Sequence, residues 1–203
     1  MKRFPMALAL TLALLPALSG CGRVRYPSYY TLNLAVPPDP PPLENIRTSL
    51  AVREFQSPSY LRQGAIVYRT TPEQIGFYEY HRWAADPRAV VTSAVIDHLR
   101  ASGNYSLVST YNGRPDIDYV FSGRLEKLEE VDHKGGVRVE VALSAQITRV
   151  TTGSTVWSNS VSEVGTVSHR SVPGVVSEMN RTMELAINRL LSTIPTPLAS
   201  NKH

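Results

Sequence analysis

The sequence predicts an α+β domain: one mixed, mostly antiparallel sheet with two helices packed on one face. Three observations predict it. Val137, Val139, Val141, Leu143, Ala145 and Ile147 alternate with Arg138, Glu140, Ala142, Ser144, Gln146 and Thr148, the pattern of an antiparallel strand buried on one side only. Two stretches, beginning near residues 87 and 172, recur instead at helical spacing between capping signals. The helices follow groups of strands, without the regular βαβ repeat of a doubly wound fold.

The chain opens on Lys2 and Arg3, followed by an uncharged run from Phe4 to Gly20. A basic start, an apolar run and small residues before a cut describe a secretory signal over residues 1–20. A spanning helix competes with that reading, but it needs about 20 apolar residues and this run holds two prolines. Cys21 is the only cysteine of the chain. A secreted chain with one cysteine has no internal disulfide to form, so the residue needs another explanation. Leu18-Ser19-Gly20-Cys21 resembles the lipobox of bacterial lipoproteins at all four positions. The resemblance implies a diacylglycerol on Cys21 Sγ, cleavage before Cys21, and acylation of the new amino group by a chain such as palmitate. Two or three acyl chains, at about 0.8 kcal/mol per buried CH₂, hold a protein at a bilayer far more firmly than one. Residues 21–28 are then a lipidated tether.

Of the formal net charge of +4, Lys2 and Arg3 of the signal carry two. The remaining arginines are scattered and often lie beside carboxylates, as in Arg53-Glu54 and Arg124-Leu125-Glu126. That is not the clustered footprint of a nucleic-acid binder. Fifteen prolines and twelve glycines in 203 residues fall short of a disordered composition. The length suits one folded domain, residues 29–197, with a tail over 198–203.

Tyr29 to Leu34 reads as a first strand, dense in β-formers. Residues 36–42, with five prolines in seven positions, favour polyproline II and make a stiff strap across the body. Thr48 to Phe55 is a second strand, broken by the proline and glycine of the segment that follows. Ala65 to Thr70 and Gln74 to Tyr80 flank a short turn and form a hairpin. Tyr60, Tyr68, Phe77, Tyr78, Tyr80 and Trp83 crowd this region, more as cross-strand packing than as a binding cage. Asp86 is the N-cap of the first helix, Pro87 its first residue, and Gly103 its C-terminal stop. Val91, Ala94, Val95, His98 and Leu99 make its apolar face.

A short strand over Tyr105 to Tyr111 leads to a turn cluster. Asp118 to Val131 then pairs with the alternating strand, and a parity change between Leu125 and Leu128 predicts a bulge within residues 123–127. Ser154 to Val164 returns as a third strand with a polar face. The second helix runs from about Val172 to Thr193, capped by Ser171, with Val176, Met179, Met183, Ala186, Ile187, Leu190, Leu191 and Ile194 as its stripe. Pro195 and Pro197 end it.

No catalytic constellation emerges from the sequence. It holds no nucleophile elbow, no H-E-x-x-H, no phosphate-binding glycine loop and no CxxC. Glu126, Glu129, Glu130 and Asp132 are the densest acidic group, and sequence neighbours on a strand tip form a solvated rim more often than a pair of catalytic carboxylates. The reading is a non-enzyme with no catalytic residues, no metal and no cofactor beyond the covalent lipid on Cys21.

The lipobox, the YYTL at Tyr29 to Leu32, the segment Leu50 to Leu61, and Ile66 to Pro87 with its Tyr68-Arg69 and Arg82-Trp83-Ala84 together resemble the ABC-type transport auxiliary lipoprotein family. Pro87 lies one residue later than the family pattern has it. The resemblance implies a non-catalytic envelope part that accompanies an ABC permease, its ATPase and an Mce-domain protein in moving lipids or other hydrophobic molecules. A stand-alone structural or assembly lipoprotein is the alternative. Gly22 follows Cys21 where the inner-membrane retention signal of enteric bacteria has Asp, which points to the outer membrane, facing the periplasm. Cargo, docking face and assembly of several copies are left open.

A sheet covered on one face has its other face and its edges for partners. The strand Ser154 to Val164 ends the meander, is rich in Ser and Thr and lacks a guarding lysine. Trp157, Asn159 and Val161, on one parity, are its candidate partner-binding residues, with Trp157 as anchor. Packing of Trp157 beneath the second helix is an equal alternative.

Overall fold

In the computed structural model, which describes residues 25–38, 46–113, 116–133, 136–196 and 198, the alternating stretch is the middle strand of a three-stranded meander. The elements are β1 (Ser28–Tyr30), β2 (Ser49–Val52), β3 (Ala65–Thr71), β4 (Gln74–Trp83), α1 (Pro87–Ala101), β5 (Leu107–Thr110), β6 (Tyr119–His133), β7 (Gly136–Arg149), β8 (Thr155–Thr166) and α2 (Val172–Leu191). All eight strands join one mixed sheet. β7 pairs antiparallel with β6 on one side and with β8 on the other. The second edge of β6 is shared: residues 119–121 pair in parallel with β2, and residues 129–131 in parallel with β3. A single bridge, Gln56 to Arg124, sits between the two. Beyond β6 the sheet therefore forks, one branch passing from β2 to β5 and the other from β3 through β4 to β1.

The register explains which face is apolar. Val139, Val141, Leu143 and Ile147 of β7 are wholly buried and stand opposite Glu130, Leu128, Leu125 and Phe121 of β6. The predicted bulge lies between Leu125 and Lys127; without the extra residue, Leu128 would have turned to the opposite face. The stripe of α2, including Met179, Met183, Ala186, Ile187 and Leu190, packs onto β6, β7 and β8. Val91, Val95 and Leu99 of α1 close the same core with Leu50, Val52 and Val108. Burial of each large apolar side chain stabilises by about 1.5–3 kcal/mol.

A column of rings, Phe55 on Phe121 at 6.1 Å and Phe121 on Trp157 at 6.0 Å, crosses that core. It needs Gly123, because a Cβ there would stand 2.2 Å from Phe55 Cζ. Both helices start as their sequences dictate. The Asp86 carboxylate accepts from Arg88 N at 2.9 Å, the Ser171 hydroxyl accepts from Gly174 N at 3.2 Å, and Gly103 takes a left-handed φ of 67° after α1.

Several strands are shorter than their composition suggests. The first ends at Tyr30 rather than Leu34, because the chain leaves the sheet and runs along α2: Asn33 N donates to Asn180 Oδ1 at 3.0 Å and Ala35 N to Glu184 Oε1 at 2.8 Å, while Leu32 is buried. Of the proline strap, residues 36–38 have no regular secondary structure, and residues 39–42 lie outside the described residues. The second strand ends at Val52, yet Phe55 stays in the core, its N–H donating to Thr92 Oγ1 at 3.0 Å. The helix expected to reach Thr193 ends at Leu191.

Candidate functional site

Cys21 and the lipobox lie outside the described residues. The surface that the described residues leave open is the other face of β6, β7 and β8. Its floor follows from the register. Arg124, Ser144 and Ser160 form one cross-strand row, and Ser122, Gln146 and Ser158 the next. Small hydroxyls at alternate positions leave a shallow floor with many donors and acceptors.

The floor belongs to an open groove of about 790 Å³ whose lining also includes Arg53, Tyr111 and Thr148. Arg53 stacks its guanidinium 4.3 Å from the Tyr111 ring centre. Arg124 pairs with Glu126 at 2.9 Å, and the Ser144 hydroxyl donates to the same carboxylate at 2.7 Å. The rim is thus polar, held by its own contacts, and fit for a polar partner surface. The outer edge of β8 is unpaired among the described residues. It runs twelve residues without lysine or proline, an edge on which a further strand can pair, with the Ser160 N–H already donating to Asn159 Oδ1 at 2.8 Å.

The dense acidic stretch of β6 is divided by the pleat. Glu129, fully buried, is gripped by Arg69, whose Nε and Nη2 donate to its two oxygens at 2.9 and 3.1 Å. Glu130 faces the other way and accepts from the Tyr78 hydroxyl at 2.8 Å. Burial pushes the Glu130 carboxyl above its ordinary range, partly offset by that hydrogen bond. Burial likewise raises the Tyr78 hydroxyl. Each carboxylate has its own partner, and the adjacent pair does not converge on a cleft. His98 uses its Nδ1 on the Ala94 carbonyl at 2.8 Å within its own helix.

Trp157, Asn159 and Val161 lie on the covered face: of the two alternatives, packing beneath the second helix is the one found for Trp157, and placement on the open surface is corrected. They pair with Ile147, Ala145 and Leu143 and so continue the apolar face. Trp157 is 8% exposed and donates through Nε1 to the Thr193 carbonyl at 3.1 Å, just beyond α2. Asn159 Nδ2 donates to Thr193 Oγ1 at 2.9 Å, and Val161 is buried. The opposite parity of the same strand, Ser158, Ser160, Ser162 and Val164, is the exposed one. The alternating serines are the sequence signal for the open side of the strand.

The model of the ABC-type transport auxiliary lipoprotein component matches residues 30–190. The chain belongs to this family. Among solved structures, protein XCC0632 from Xanthomonas campestris is similar to this auxiliary lipoprotein at 17% identity and a TM-score of 0.69, covering 81% of this chain and 92% of its own. A second, titled only as an uncharacterized protein, has 14% identity and a TM-score of 0.65, covering 84% and 99%. At such identities the likeness establishes the fold alone. No curated protein matches the chain. No described helix of this auxiliary lipoprotein is long and apolar enough to cross a membrane.

Proposed function

We propose that this auxiliary lipoprotein is held at the periplasmic face of the outer membrane through acylated Cys21 and docks the Mce-domain protein of an ABC system that moves lipids or other hydrophobic molecules. The observation that carries the reading is the family match across residues 30–190, in a chain whose residues 18–21 resemble a lipobox. The permease and ATPase are reached through the Mce-domain protein. The chain's own part is to bind, without catalysis: its open sheet face and the free edge of β8 offer area and backbone donors to a partner. Gly22 supports sorting to the outer membrane.

Two measurements test this. Affinity purification of the tagged protein from detergent-solubilised envelopes recovers the Mce-domain protein together with permease and ATPase; recovery of the chain alone under conditions that keep the other three together supports a stand-alone lipoprotein instead. Cys21→Ser leaves the protein unprocessed or in the soluble periplasmic fraction, and unchanged processing and membrane attachment would contradict the anchor. Density-gradient separation of the two membranes decides the sorting.

A further inference from the structure

Aromatic rings and arginines collect at the sheet edge where the chain enters the fold. Tyr26 is 82% exposed, Tyr29 63% and Phe77 37%. The register sets three of the residues on one side. Tyr29 pairs with Arg82, while Arg82 and Phe77 pair with Ala65 and Val67, two residues of one parity on β3. Arg25 brings its guanidinium to 6.0 Å from the Tyr80 ring centre. The neighbouring Glu79 carboxylate holds the Tyr80 hydroxyl above its ordinary pKa. Folding does not require these rings at the surface, and they form a patch of mixed aromatic and cationic character.

The second observation is the length of the leash. Arg25, already in contact with β4, is four residue steps from Cys21. Four steps reach at most about 14 Å in any conformation. With Cys21 acylated, the β1 and β4 edge cannot leave the bilayer surface by more than that distance. Tyrosine gains at the headgroup level, where its ring is desolvated while its hydroxyl stays wet, and phenylalanine gains by desolvation of its ring alone. Each arginine strengthens attachment to an anionic surface about fivefold.

We propose that this edge, through Tyr26, Tyr29, Phe77 and Tyr80, rests in the bilayer interface, with Arg25 and Arg82 on the phosphates of anionic headgroups. The inference rests on the acylation of Cys21. It fixes the posture of the domain. β8 lies four strand spacings from β4 in the order β4, β3, β6, β7, β8, about 19 Å, so the outer edge of β8 is the sheet edge farthest from the residues in the interface.

The test uses the acylated mature protein in vesicles of phosphatidylethanolamine and phosphatidylglycerol. Acylation of Cys21 makes an introduced cysteine the only thiol. An environment-sensitive fluorophore is placed on Phe77→Cys or, as control, on Ser160→Cys, with Tyr29→Cys as a second reporter of the edge where Phe77→Cys fails to fold. Nitroxide-labelled lipids quench the probe at 77 or 29 and leave the probe at 160 unchanged. Arg25→Glu with Arg82→Glu reduces the quenching at the edge, as does replacing both lipids by phosphatidylcholine. Vesicles that carry the protein with the edge probes no more quenched than the probe at 160 overturn the proposal, and unaltered quenching after charge reversal overturns its electrostatic part. Failure to float with vesicles removes the anchor and this inference with it, an outcome distinct from a floating but unquenched protein.

Discussion

Glu129 and Glu130 are neighbours in sequence with opposite electrostatic fates, and both can be tested. Glu129 is buried with a bidentate arginine. Removing one partner of a buried pair leaves an uncompensated charge, so Arg69→Ala is expected to destabilise by about 3–5 kcal/mol in denaturant unfolding, and Arg69→Met combined with Glu129→Leu by much less. Equal costs for the single and double variants would show that packing around the two side chains dominates. Glu130 carries a pKa raised by burial. A carboxyl that binds its proton more tightly in the folded state stabilises fully at pH values below the ordinary 4.5, and that stability is lost as pH rises through the folded value. Glu130→Gln keeps an acceptor for Tyr78 and removes the charge. Its melting temperature is expected above the parent's at neutral pH and to converge with it below pH 4.5. A lower melting temperature at neutral pH would show that the ionised carboxylate is needed to hold Tyr78.

At the scale of elements, what was legible in the sequence is what local chemistry decides. Asp86, Pro87 and Gly103 bound α1 where capping rules put them. Asp86→Ala is expected to cost about 1 kcal/mol, read from the shift of the urea midpoint at unchanged slope; no shift would mean that the cap and the Arg88 side-chain contact to Asp86 give no net stability. The period-two pattern of β7 and the bulge in β6 follow equally from side-chain alternation alone. Parallel pairings do not. β2 joins β6 and β5 without a local turn, and β1 joins β4 across some fifty residues of chain, so neither sequence pattern nor turn chemistry could name those neighbours. The same limit left two equal alternatives at β8. The polar parity and the tryptophan parity were both plain in the sequence, but only the path of α2 decides which one is covered.

At the scale of the molecule, the helices occupy one face of the sheet, the entry of the chain marks one edge, and the other face and the far edge remain for partners. This division gives a protein with a groove lined by hydroxyls, amides and arginines on the open face and exposed aromatic rings at the edge where the chain enters. The proposed docking of the Mce-domain protein on the open face has a direct test. Photo-crosslinking in intact cells tests it most directly, with the reactive residue at Ser160 on the open face and, for comparison, at Leu185, which is 46% exposed on α2. The account predicts that Ser160 captures the Mce-domain protein, identified by mass spectrometry, and that Leu185 does not. Capture of that protein from Leu185 and not from Ser160 would put the docking surface on the helical side and contradict the account.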